Sequence, residues 1–150
     1  MQPIGALHLI SAIVAIGSGT TVLLMPKGNL LHKRVGYLYF YSMLYMNGSA
    51  FMIYNLTGEL NGFHIGSIVS LVTILIGIGT LYFRGRIQPS INLHISMMYW
   101  SMIGLYSALF SELLTRLSNL PFLVAVIIPT AVITVLGAIV FVFKGKEWFR

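Results

Sequence analysis

The chain contains no cysteine, which excludes disulfides, thiolate metal sites and cysteine nucleophiles. It is also poor in charge. Only 8% of its 150 residues are charged, and just three of those are acidic. A soluble domain carries about 25% charged residues, so there are too few here to cover a water-exposed surface. Paired carboxylates, a nucleophile elbow, a phosphate loop and a zincin motif are all missing, which leaves hydrolysis without visible machinery. What fills the chain instead is apolar: 57% of residues are hydrophobic and the mean hydropathy is +0.90. Such a composition places the chain in a lipid bilayer. The formal net charge of +6 raises the question of nucleic acid. The charges sit at the ends of apolar segments, however, so lipid is the expected partner and nucleic acid is not. The length fits one transmembrane domain, residues 1–150.

About 20 apolar residues in a helix cross the hydrocarbon core. Five segments qualify: Ile4–Met25, His32–Asn55, Gly62–Phe83, Ile91–Thr115 and Pro121–Phe143. Breakers separate them, at Pro26 and Gly28, Thr57 and Gly58, Gly85 and Pro89, and Ser118 to Pro121. Pro121 suits a first helical turn, where its missing N–H costs nothing, and Pro129 predicts a kink in the fifth helix. The first apolar stretch has no basic region before it and is about a full span long, so it reads as a span rather than a signal peptide. The expected fold is all-α and integral to the membrane, with five transmembrane helices in an up-down arrangement.

Lys and Arg set the orientation. Lys27, Lys33, Arg34, Arg84, Arg86, Lys144, Lys146 and Arg150 fall on one side, and Arg116 alone on the other. This predicts an outside N-terminus and a cytoplasmic C-terminus, in the plasma membrane of a bacterium (its inner membrane).

The chain also repeats itself. Ile16-Gly17-Ser18-Gly19-Thr20 returns as Ile76-Gly77-Ile78-Gly79-Thr80, and each copy runs through a basic loop to a Leu-His pair, Leu31-His32 and Leu93-His94. Helices 1–2 and 3–4 are therefore expected to form a four-helix pseudo-repeat core, with the fifth helix as an accessory. Gly17, Gly19, Gly36, Gly77 and Gly79 are candidates for close helix packing.

Each of the first four spans carries one histidine. His8 and His64 lie toward the outer ends of spans 1 and 3, and His32 and His94 toward the cytoplasmic ends of spans 2 and 4. Neutral imidazole is the commonest protein metal ligand, and two facing imidazoles supply both axial positions of a haem iron. The cofactor class this pattern points to is haem b or a divalent metal. Lys27, Lys33, Arg34, Arg84 and Arg86 are then candidates for propionate contacts, or equally for lipid headgroups. The competing reading places the histidines among headgroups, bonded to water or carbonyls. His32 and His94 follow the repeat, whereas His8 and His64 are offset by four residues relative to their Gly motifs.

Other polar residues have simpler expected roles. Glu112 and Arg116, spaced i, i+4, form an outer polar pair. Asn47 and Ser49, near the middle of span 2, read as interhelical hydrogen-bonding groups. Met43, Met46, Met97, Met98 and Met102 read as packing filler rather than copper ligands.

His32-Lys33-Arg34-Val35-Gly36-Tyr37-Leu38-Tyr39 resembles the H-[RK]-x-x-G-x-x-Y signature of a bacterial family of predicted multi-pass membrane proteins of unknown function. His94-Ile95-Ser96-Met97 is similar to that family's second signature, H-x-x-M. The resemblance covers residues 5 to 116 and implies that His32, Gly36 and His94 lie in characteristic motifs. It implies no activity. One histidine per helix also looks like the arrangement in transmembrane dihaem b-type cytochromes, a likeness of geometry alone. The leading expectation is a haem- or metal-binding redox protein of the membrane. The alternatives are a non-enzymatic accessory or assembly subunit, in contact with a membrane partner or a second copy of itself, and a small transporter.

Overall fold

A computed structural model describes residues 3–57, 62–82 and 90–148. They form five helices and, among the described residues, no strand: α1 (Pro3–Leu24), α2 (Leu30–Thr57), α3 (Gly62–Tyr82), α4 (Ser90–Leu117) and α5 (Phe122–Trp148). The number and order of helices match the sequence expectation. Their suitability for lipid does not. Three helices are long and apolar enough to cross a membrane, within Pro3–Leu24, Gly62–Tyr82 and Phe122–Gly145. By that measure three helices among the described residues qualify, not the five spans expected from sequence. α2 carries Lys33, Arg34 and Asn47, and α4 carries Asn92, His94, Glu112 and Arg116. These side chains dilute the apolar content without shortening the helix.

The chain divides into two compact units, residues 1–72 and 73–150, with the boundary inside α3. In the first, α1 packs along α2. The buried positions of α1 are Ser11, Ala15, Ser18 and Gly19, a stripe of small residues at i, i+4, i+7 and i+8 that lets two helices approach closely. Ser18 returns its hydroxyl to the Val14 carbonyl at 2.6 Å, so its polar group needs no partner outside its own helix. α2 buries Tyr39, Ser42, Met43, Met46, Asn47 and Ser49, a stripe with the same helical spacing.

The turn between α1 and α2 closes both helix ends chemically. Lys27 Nζ donates to the carbonyls of Val22 and Leu23 at 2.6 and 2.7 Å. A cation thus satisfies carbonyls that the helix end leaves without partners. Partial desolvation lowers the pKa of this ammonium from its ordinary value. Gly28 takes φ = +83°, a left-handed conformation that L side chains rarely adopt. Asn29 then caps α2, its Oδ1 accepting from the His32 N–H at 2.7 Å. The helix therefore opens at Leu30, two residues before the start read from sequence.

In the second unit α4 packs along α5. Tyr99 donates its hydroxyl to the Gly137 carbonyl at 2.8 Å, and its ring lies 5.2 Å from those of both Phe141 and Trp148. A Cβ at Gly137 would fall 2.7 Å from Ile103 Cδ1 and 3.2 Å from its Cγ2, so a side chain there would force Ile103 to shift. α5 contains Pro129 within its length. Proline removes one backbone N–H and crowds the preceding turn. At that turn the Val126 carbonyl accepts from Ser111 Oγ at 3.2 Å and from Thr130 Oγ1 at 2.8 Å. These hydroxyl bonds fall one residue beyond Ala125, whose carbonyl Pro129 deprives of its ladder N–H.

The distribution of polarity is inverted relative to a water-soluble protein. Among the described residues the buried side chains include Ser11, Ser18, Ser42, Asn47, Ser49, His64, Thr80, Ser101, Ser107 and Ser111. The exposed ones include long aliphatic runs on α1, α3 and α5, such as Ile10, Ile13, Ile65, Val69, Val72, Leu123, Ile127, Val135 and Val142. An apolar surface of that extent is compatible with lipid and not with water.

Candidate functional site

The four histidines lie on four different helices. His94, one turn into α4, is half-buried, and its Nδ1 lies 2.7 Å from the carbonyl oxygen of Gly77 on α3. A carbonyl can only accept, so the Nδ1 bears the proton. In the neutral ring, Nε2 then carries the lone pair. This is the orientation that metal-ligating histidines usually show, with the second ring nitrogen held by a backbone carbonyl. The same Gly77 carbonyl accepts from Thr80 Oγ1 at 2.8 Å. The approach depends on Gly77 having no side chain. A Cβ there would meet Met98 Sδ at 2.8 Å and Met97 Cβ at 3.3 Å.

His8, on α1, has its Nδ1 at 3.1 Å from both the Met46 carbonyl oxygen and Ser49 Oγ on α2. Ser49 spends its own proton on the Met46 carbonyl at 2.8 Å. Both neighbours of Nδ1 therefore act as acceptors, and the ring is again an Nδ1–H tautomer. His64, on α3 in the same unit, is buried, with 4% of its surface exposed. His32 lies in the first turn of α2, half-buried, directly behind the Asn29 cap.

The basic residues divide by role. Lys27 is engaged with the end of α1, while Lys33 and Arg34 are exposed. Arg84 and Arg86 lie outside the described residues. Arg116 Nη2 donates to Glu112 Oε1 at 2.6 Å, with both side chains largely exposed. Among the glycines of the repeat, Gly77 stands apart. A Cβ built at Gly17, Gly36 or Gly79 meets nothing within 4 Å, and Gly19 is buried on α1. Among the described residues no group of three or more His, Asp or Glu side chains gathers as a metal cluster.

Asn47 bridges α2 and α3. Its Nδ2 donates to the Met43 carbonyl at 2.8 Å and to Ser70 Oγ at 3.2 Å. Asn29, Ser111 and Gly137 were not singled out by sequence reasoning. An Asn directly after Gly28 was a cap signal open to reading. The roles of Ser111 and Gly137 depend on which faces of α4 and α5 meet, and spacing alone does not give that.

Long apolar helices, polar groups turned inward and aliphatic faces turned outward define an integral membrane protein of helical class. The chain belongs to the family described as predicted membrane protein (DUF2306), whose model matches residues 5–144. That match takes in α5, so the fifth helix is part of the family's common unit. No curated protein and no solved structure matches the chain.

Proposed function

We propose that the protein is a membrane-embedded redox protein that binds haem or a metal ion through imidazole, with His94 as a ligand. The observation that carries this reading is the 2.7 Å contact between His94 Nδ1 and the Gly77 carbonyl. It fixes the ring and leaves Nε2 as the donor atom. His8 is held by the same device on α2. Haem, when bound, would supply one-electron chemistry; the chain's part is to orient the imidazole and to exclude water with apolar helices. Lys33 and Arg34 are exposed and available for lipid headgroups.

In the same proposal all five helices cross the bilayer. The polar faces of α2 and α4 are buried, and eight of the nine Lys and Arg residues lie on the cytoplasmic side.

The experiment is direct. The protein, purified from haem-supplied cells, is examined by absorption spectroscopy and assayed for metals. A Soret band or stoichiometric metal that His94→Ala removes supports the reading, and His8→Ala and His32→Ala then locate a second ligand. Folded protein with neither band nor metal overturns it and favours an accessory subunit. A reporter fused after the C-terminus that reads as periplasmic would overturn the orientation.

A further inference from the structure

Asn47 is 1% exposed, and its Oδ1 is a buried acceptor with no donor among the described residues. The amide cannot be turned to relieve this. Its NH2 faces the Met43 carbonyl at 2.8 Å, and reversing the group would set two acceptors against each other. A buried amide oxygen without a donor is costly in an apolar setting, and Asn47 sits on a helix face flanked by Met43 and Met46. Something carrying an O–H or N–H must answer it.

We infer that Asn47 holds a buried water molecule in the first unit, bound at Oδ1. Water is the smallest protic molecule, and it occupies polar sites that offer two or more partners. Ser70 Oγ, bonded to the same amide at 3.2 Å, offers a second oxygen beside Asn47 Oδ1. The open apolar grooves of about 240 and 370 Å³ lie along α4 and α5 and include no residue of this site. Neither groove leads to Asn47. The water gives the first unit an exchangeable proton within its apolar zone. Asn47 lies next in sequence to Met46, whose carbonyl anchors His8.

Radiolytic hydroxyl-radical labelling of the full chain in nanodiscs tests this, because radicals formed from a bound water oxidise side chains that bulk solvent does not reach. Met43 is fully buried and Met102 is 2% exposed, so Met102 in the second unit serves as a matched control. Met43 should be oxidised severalfold faster than Met102, and the added oxygen should carry 18O after equilibration in H2 18O. Asn47→Leu should bring Met43 down to the Met102 rate. Ser70→Ala, a milder change, should lower Met43 labelling while leaving the protein folded. Met43 labelling no faster than that of Met102 overturns the inference. So does a stoichiometric hydroxylated lipid or quinol, extracted from the wild type and lost with Asn47→Leu.

Discussion

Gly17 and Gly77 occupy the same place in the two copies of the repeat, yet the structure predicts opposite outcomes when each is changed to alanine. Helix propensity favours Ala over Gly by about 1 kcal/mol at both positions. At Gly17 nothing opposes that gain, since the added Cβ meets no atom within 4 Å. At Gly77 the Cβ would lie 2.8 Å from Met98 Sδ and 3.3 Å from Met97 Cβ. Met98 can swing its thioether away. Met97 Cβ is attached to the α4 backbone, so α4 itself must move by a few tenths of an ångström. Overpacking of this kind costs about 1–3 kcal/mol, and weakening the His94 bond to the Gly77 carbonyl adds about 1 kcal/mol. The two variants should therefore differ by roughly 2–4 kcal/mol, which for a chain of this size separates their melting temperatures by roughly 5–15 °C. Thermal unfolding in one detergent, followed by helical circular dichroism, measures the difference. A 15N spectrum of His94 reports whether its Nδ1–H tautomer survives. If Gly77→Ala is as stabilising as Gly17→Ala, and the tautomer is unchanged, α4 does not press against Gly77.

Asn29→Ala should destabilise the protein by about 1 kcal/mol through loss of the α2 cap, and Asn29→Asp should restore it; chemical or thermal unfolding measures both. Ser111→Ala should cost about 1 kcal/mol, and the double variant with Thr130→Ala more than the sum of the singles, because together they strip the Val126 carbonyl of its hydroxyl donors. In a His8→Phe, Ser49→Ala cycle the coupling should be about 1 kcal/mol, and a coupling near zero would mean that the His8 contact to α2 does not hold in the membrane. Glu112→Gln should change stability by less than about 1 kcal/mol, since the ion pair to Arg116 is solvent-exposed.

The helices were legible because prolines and glycines interrupt otherwise continuous apolar segments, as at Pro26 and Gly28 between α1 and α2 and at Pro121 before α5, whereas α5 runs on past the end read at Phe143 to Trp148. The histidine positions were equally legible, since one residue per helix is simple counting. The status of α2 and α4 was not. A span estimate rewards length, and residues such as Asn47 and His94 subtract from hydropathy without revealing that the protein covers them. The repeat misled in one respect. It made Gly17 and Gly77 equivalent, but equivalence in sequence does not decide which glycine has a neighbouring helix pressed against it. Gly137 escaped notice for the reverse reason. Its importance comes from Ile103 and Tyr99, 34 and 38 positions earlier in the chain.

The pairing of a polar helix with an apolar one has a consequence for biosynthesis. On the five-span reading, α2 follows α1 from the ribosome, so a greasy partner already waits in the bilayer to shield Asn47 and Ser49. In the second unit the order is reversed. α4 emerges with Ser107, Ser111 and Glu112 before α5, the helix it packs on, has been made. Until some thirty further residues are translated, α4 must shelter at the insertion machinery or lean on the end of α3 around Gly77. Truncation just before Phe122 should therefore leave the first hairpin protected from protease added to the membranes and α4 open to cleavage.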